Sequence, residues 1–317
     1  VTGDQVRVVT AGETMMLVAP TGPGRLRHAG ALSASAGGAE SNVAIGLSRL
    51  GVCSRWLGAV GDDEPGQLVL HRIRAEGVDT GAVIVDPTRP TALYLREQVA
   101  GATRVYYYRR GSAGSALAPG CLDPAVLDGA EVLHLSGITA ALSESCAGFV
   151  DWLLDQAHQR GLLVSYDVNY RSRLWAPEAA RAATEAVLDR VDLLLVGHEE
   201  ARALWGWDDD TALDRLAERG PAETVLKRGA RGCVALIDGV RHEVDGFAVT
   251  EVDPIGAGDA FAAGYLAARL AGAEPADRLR TANAMGAFCV QSHGDYEGLP
   301  SRAELEAFTD QREDLGR

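Results

Sequence analysis

Apolar positions along this chain follow two alternating rhythms. Short, nearly continuous apolar runs at residues 6–11, 54–59, 132–135, 162–166, 193–196 and 224–227 predict strands covered on both faces. Between them, apolar residues fall at helical spacing. In residues 41–50 they are Val43, Ala44, Leu47 and Leu50, with Gly51 as the stop signal. The same spacing predicts helices over 66–75 (ended by Gly77), 144–159, 177–188 and 199–204, and from Ala257 and from Glu274. Strand–helix alternation of this kind predicts an α/β fold, a mostly parallel sheet with helices on both faces.

Two segments depart from the alternation. Residues 91–96 and 104–109 are rich in β-branched and aromatic residues and flank the glycine-containing turn Ala100-Gly101-Ala102-Thr103, so they read as a hairpin outside the main sheet. Together with residues 31–36 they suggest a small separate sheet, a lid drawn from about 13–36 and 89–112. Period-two alternation sets Tyr94 with Arg96 on one face and Tyr107 with Arg109 on one face. Ordinary surface strands are the plain alternative.

With 317 residues, 47% of them hydrophobic, and no Pro/Ser-rich linker, charge block or repeat, the expectation is one domain over residues 1–317. The run Val1-Thr-Gly-Asp-Gln-Val-Arg7 has no basic-then-apolar leader, and the most apolar helical stretch, 260–273, is short and interrupted by Arg269. The five cysteines are scattered, odd in number and never in a Cys-x-x-Cys pair, which argues against a disulfide framework or zinc site and for a cytoplasmic location. A net charge of −14 opposes nucleic-acid binding, and no membrane contact is expected. Lys227 is the only lysine, and it stands in Leu226-Lys-Arg-Gly, so a Walker A loop with its Gly-Lys-Ser/Thr is excluded.

The segment richest in chemistry is Asp253-Pro-Ile-Gly256-Ala-Gly258-Asp259-Ala-Phe261. Two glycines permit a tight turn, and a helix starts at once, so free N–H groups and the positive end of the helix dipole face whatever lies in front. A carboxylate there repels an anion. Asp259 makes sense as the base that takes a proton from a hydroxyl attacking a phosphoryl group, while the amides of Gly256, Ala257 and Gly258 hold the developing charge. Asp259 as an ordinary first-turn aspartate is the alternative. A dinucleotide loop fits less well, because Phe261 occupies the third glycine place of Gly-x-Gly-x-x-Gly.

This segment resembles the C-terminal signature of the ribokinase-type (PfkB) carbohydrate kinases. Gly37-Gly38-Ala39-Glu40-Ser41-Asn42 resembles their N-terminal signature, and the likeness runs from about Val8 to about Pro300. It implies a three-layer α/β/α sandwich with a small β-sheet lid, ATP as phosphoryl donor and Mg²⁺ as cofactor. Tyr106 to Ala113, His134-Leu-Ser-Gly-Ile138 and Asp167-Val-Asn169-Tyr-Arg171 bring the chain nearest to the 2-keto-3-deoxygluconate kinases, which phosphorylate the 6-hydroxyl of a small sugar acid. The resemblance places Gly38, Asn42, Tyr94, Tyr107, Arg109, Asn169, Arg171 and Asp259 at the sugar. An acid substrate asks for a guanidinium fork, which Arg109 or Arg171 could supply, although arginine is abundant here and either one alone reads as a surface residue.

On the nucleotide side the resemblance assigns Lys227, Gly229 and Gly232, together with Gly256, Gly258 and Asn283. Lys227 could equally be a Schiff-base nucleophile in an aldolase, and Asn283 an ordinary polar helix residue. Where the family commonly has Asn-x-x-Glu serving magnesium and phosphate, this chain has Gly197-His198-Glu199-Glu200; Glu200 is kept as an indirect metal residue and the asparagine is not. His198 is a candidate ligand by chemistry, with an exposed histidine at a helix start as the plain alternative. The alternatives left open are a kinase of a neutral sugar such as fructose or ribose, and a nucleotide-binding regulator without catalysis. Pairing of two copies through the lid is a further expectation from the resemblance.

Overall fold

A strand needs apolar residues at every position only when both its faces are covered. The computed structural model describes residues 5–99 and 102–315; the first four residues and the Ala100-Gly101 step of the expected hairpin turn lie outside these. The chain opens with β1 (Val8–Ala11), β2 (Met15–Pro20) and β3 (Leu32–Gly37), enters α1 (Ala39–Arg49), and returns through β4 (Ser54–Leu57), β5 (Ala59–Gly61) and α2 (Glu64–Ala75). Then come β6 (Ile84–Asp86), β7 (Leu93–Val99), β8 (Ala102–Tyr108), β9 (Val132–Ser136), α3 (Gly137–Ala141) and α4 (Glu144–Arg160). They are followed by β10 (Leu163–Asp167), α5 (Pro177–Glu185), β11 (Leu193–Gly197), α6 (His198–Trp205) and α7 (Asp209–Ala217). The last elements are β12 (Glu223–Lys227), β13 (Cys233–Ile237), β14 (Val240–Val244), α8 (Ala257–Leu270), α9 (Pro275–Cys289) and α10 (Arg302–Leu315).

Among the described residues, eight strands form the main sheet in the order β14-β13-β12-β11-β10-β9-β1-β4. The six from β12 to β4 run parallel; β13 and β14 add antiparallel to one edge. Alternate side chains feed two separate cores. Leu193, Leu195 and Val225 join Val43, Val69, Phe261 and Leu279 on the face covered by α1, α2, α8 and α9. Leu194, Val196 and Leu226 join Phe149, Ala201 and Leu213 on the face of α4, α6 and α7. Each fully buried aliphatic side chain contributes roughly 1.5–3 kcal/mol, so the two cores fix which face each helix covers. The chain thus has an α/β sandwich fold, with helices on both faces of the main sheet.

The second sheet, β3-β2-β7-β8, stands apart from the first. β7 and β8 are the antiparallel hairpin read from the sequence, with Tyr94 opposite Tyr107. The strand expected over 54–59 is two strands: β4 lies in the main sheet, whereas β5 pairs with β6. Gly58 separates them, because the Trp56 indole fills the space a side chain there would need. The helix expected over 177–188 stops at Glu185 and gives way to a short 3-10 turn, Leu188–Arg190. Among the described residues no helix is long and apolar enough to cross a membrane, and the five cysteines are free.

Candidate active site

The parallel strands converge on one edge. Asp167 ends β10, Gly197 ends β11 and Lys227 ends β12, which is where open α/β sheets bind ligands. Two helices start over the same edge. α1 begins at Gly38, where a Cβ would lie 2.5 Å from the Glu13 carbonyl oxygen, so only glycine lets the β2 approach pass beneath the helix start. α8 begins at Gly256, whose φ of +79° belongs to the left-handed region. A Cβ there would also run into the Asp295 carbonyl oxygen.

α1 and α8 pack together and bring Asn42 to Asp259, with Asn42 Nδ2 donating to Asp259 Oδ2 at 2.8 Å. Asp259 is 7% exposed. Burial pushes its carboxyl up to about 7, against the downward pull of the Asn42 hydrogen bond and the Arg171 charge. Among the described residues the buried amide oxygen of Asn42 has no hydrogen-bond partner, and Asn42 lines the cavity in front of Asp259. A ligand hydroxyl would satisfy it.

That cavity, of about 550 Å³, gathers every residue expected at the sugar: Gly38, Asn42, Tyr94, Tyr107, Arg109, Asn169, Arg171 and Asp259. Not all are equally available. The Tyr94 hydroxyl donates to Asp295 at 2.6 Å, and burial lifts Asp295 to about 6 despite that bond. Arg109 lies 2.6 Å from Glu13, a carboxylate 2% exposed that also accepts from Ser112. Its guanidinium also stands over the Tyr107 ring, 5.6 Å from the centroid. Arg171 is exposed and forms no ion pair among the described residues. Asn169 holds a positive φ of 41°, buried behind Asp167.

A second cavity, of about 540 Å³, opens on the other side of the α8 start. Lys227, Gly229, Gly232, Gly258 and Asn283 line it, with apolar walls from Phe247, Val249 and Val290. The two cavities share Lys227, Pro254 and Gly258. A Cβ on Gly258 would meet only Lys227 Nζ, at 3.6 Å, so the space it leaves is cavity rather than protein. Lys227 Nζ donates to both carboxylate oxygens of Asp167, at 2.7 and 2.9 Å. Burial works against its ammonium, but Asp167 and then Glu200 outweigh it and hold Lys227 above its ordinary value. A lysine held charged is a poor Schiff-base nucleophile, which disfavours the aldolase alternative. Asn283 donates to the carbonyls of Val244 and Asp245 and so ties α9 to the end of β14.

Glu200 lines the first cavity, accepting the N–H groups of Gly197 (2.6 Å) and Tyr170 (2.8 Å). Burial pushes its carboxyl up, and Lys227 pulls the other way. Among the described residues no group of three or more His, Cys, Asp or Glu is placed to hold a metal by itself. Asp167 and Glu200 still offer the hard oxygen donors that suit Mg²⁺, which takes one or two carboxylates, keeps water and shares phosphate oxygens. His198 sits 3.8 Å from Asp209, away from both cavities.

Sequence reasoning missed Glu13, Asp295 and the apolar walls of the second cavity. Glu13 and Asp295 stand in no motif; each is held by residues distant in sequence, Glu13 by Arg109 and Ser112, and Asp295 by Tyr94 and Arg96. Asp167 was visible in its motif, but its partnership with Lys227 depends on β10 and β12 ending side by side with β11 between them.

Two cavities of similar volume, the second with apolar walls, meet at a helix N-terminus beside a buried carboxylate, as in kinases that phosphorylate a hydroxyl group. The chain belongs to the pfkB family of carbohydrate kinases, whose model matches residues 5–302, and it is a sugar kinase. It is 35% identical over 309 residues to a 2-dehydro-3-deoxygluconokinase of Thermoproteus tenax, covering 95% of this chain and 93% of that one. It is 35% identical over 292 residues to a 2-dehydro-3-deoxygalactonokinase of Haloferax volcanii, covering 91% and 92%. Among solved structures, a putative ribokinase II of E. coli in complex with ATP and Mg²⁺ superposes with a TM-score of 0.89 at 26% identity, covering 96% of this chain and 99% of that one.

Proposed function

We propose that the protein transfers the γ-phosphoryl group of ATP to the 6-hydroxyl of 2-keto-3-deoxygluconate, with Asp259 as general base. The observation that carries this reading is the position of Asp259: buried, pushed up to about 7, and next to Gly258, where the two cavities meet. A base with a value near the working pH is half ready to accept a proton and strong enough to take one from a hydroxyl in the transition state.

In this reading the sugar acid occupies the first cavity and ATP the second. The hydroxyl proton passes to the Asp259 carboxylate as the oxygen–phosphorus bond forms and the bond from the γ-phosphorus to the bridging oxygen of ADP breaks. The N–H groups at Gly256, Ala257 and Gly258 receive charge on the transferring group, and Lys227 faces the phosphates from the other side. Asp167 and Glu200 would stand where Mg²⁺ binds, and the ion would supply charge neutralisation at the phosphates. Asn42 orients both the base and the sugar, and Arg171 meets the carboxylate. The second sheet, spanning about 13–36 and 89–112, serves as a lid on one domain, excluding water as the sugar binds.

One observation favours a neutral sugar. The charge of Arg109 is already balanced by Glu13, which leaves acid recognition chiefly to Arg171. An ADP-release assay with Mg²⁺ and a panel of 2-keto-3-deoxygluconate, its galactose-series epimer, gluconate, fructose and ribose separates the readings. The keto acids should give the highest kcat/KM; faster turnover of fructose or ribose would leave the family and remove the acid.

A further inference from the structure

Beyond the sugar cavity lies a larger open cleft, of about 1070 Å³, which shares Tyr107, Arg109 and Arg171 with it. Among the described residues, five arginines line this cleft (Arg89, Arg109, Arg110, Arg171 and Arg173) and no aspartate or glutamate does. In a chain of net charge −14, a cleft lined by one sign, the minority sign, is conspicuous. Two of the five are neutralised: Arg89 by Asp86 at 3.0 Å and Arg109 by Glu13 at 2.6 Å. The other three are exposed and form no ion pair among the described residues; Arg173 donates only to the Val105 carbonyl. They come from two separate stretches, Arg110 from the end of the hairpin and Arg171 and Arg173 from the loop after β10, so local sequence does not explain their convergence. Among the described residues, the second cavity shares no lining residue with this cleft.

We propose that this cleft is the entry port for the anionic sugar substrate, in which Arg110 and Arg173 draw the carboxylate in from solution and pass it to Arg171 at the cavity mouth. The inference rests on the acid-kinase reading above. A cleft of one sign with low-dielectric walls raises the local concentration of an oppositely charged ligand, and here it offsets the repulsion of an acidic protein surface. Steering charges of this kind act at long range and are screened by salt. They do not touch the reacting atoms, so they leave kcat alone.

The test is kcat/KM at saturating ATP, followed from low to high ionic strength, for wild type, Arg110→Gln/Arg173→Gln and Arg110→Lys/Arg173→Lys. Steering commonly changes association by a factor of 10 or more, so the glutamine variant should lose roughly three- to tenfold in kcat/KM for the keto acid at low salt. The loss should vanish near 0.5 M salt, where the Debye length falls to about 4 Å. The lysine variant should keep the wild-type profile, kcat should be the same in all three, and fructose should show no difference at any salt. A wild type that prefers fructose to the acid would sink the acid-kinase reading and the port with it. A wild type that prefers the acid, but whose salt profile the glutamine variant reproduces, would overturn the port alone. So would a loss in the glutamine variant that persists at high salt.

Discussion

As the proposed base, Asp259 answers two demands that conflict. Catalysis wants a carboxylate of raised basicity, which burial provides, whereas folding pays for every charge taken out of water. An acid whose folded value, about 7, lies above its ordinary 3.8 favours the folded state while protonated. That contribution is full below about 4 and is lost as the pH rises through about 7. Asp259→Asn, nearly isosteric and able to accept from Asn42, should therefore melt higher than wild type at pH 8, with the gap narrowing towards pH 5. A variant that melts lower at both pH values would mean the buried charge is stabilised by something the site does not display. The two arginines separate at the same scale. Arg171→Ala should raise KM for the keto acid about ten- to a hundredfold with little change in Tm, because an exposed, unpaired guanidinium supports the ligand and not the fold. Arg109→Ala should lower Tm as well, since it strands the buried Glu13 carboxylate; breaking a buried pair costs roughly 3–5 kcal/mol. Equal Tm for the two variants would contradict this division. Such differences were beyond the sequence, where both arginines sit in equally good motif contexts and nothing marks Glu13.

At the scale of the element, the site is two helix starts facing one another, α1 at Gly38 and α8 at Gly256. The glycines were legible, and so was the helix each one opens, but not the reason for each. Gly256 is needed by the protein, through its left-handed backbone and the Asp295 carbonyl beside it; Gly258 leaves room that belongs to the cavities. Gly256→Ala should accordingly lower Tm and activity together, by about 1–3 kcal/mol of stability for a strained left-handed residue. Gly258→Ala should leave Tm unchanged while weakening ATP and slowing turnover. Melting curves and KM for ATP on the two proteins check the contrast, and a similar loss of Tm in both would show that Gly258 has a packing role as well. The main helices and parallel strands were readable because burial on both faces writes continuous apolar runs. The edge strand β14 and the helix α10 were not, because exposed polar residues dilute the period there. By contrast β13, an apolar and buried run one strand in from that edge, and α7, with Ala212, Leu213 and Leu216 in the core, carried a signal that the reading passed over.

For the whole molecule, the order of strands decides the chemistry. Placing β10, β11 and β12 side by side sets Asp167 against Lys227 and leaves Glu200 behind them, a cluster no linear motif announces. The second sheet closes the other side through Tyr94 and Arg96, whose partners Asp295 and Asp253 belong to the segments around α8 and α9. The sequence indicated that such a sheet exists and which residues form its hairpin; that its tyrosine would rest on Asp295 depends on a contact spanning two hundred residues of chain. These long-range meetings converge on one claim: a sugar hydroxyl is deprotonated by Asp259 where the two cavities join. The direct measurement is the pH dependence of kcat/KM for 2-keto-3-deoxygluconate, from about pH 5 to about pH 9, in wild type and Asp259→Asn. Wild type should rise about tenfold per pH unit and level off above about 7. The variant should be lower by roughly 10²–10⁴-fold at the plateau and should lose that limb, which a limb belonging to ATP would not do. A folded Asp259→Asn protein that keeps near-normal kcat/KM, or the same limb, would contradict the account.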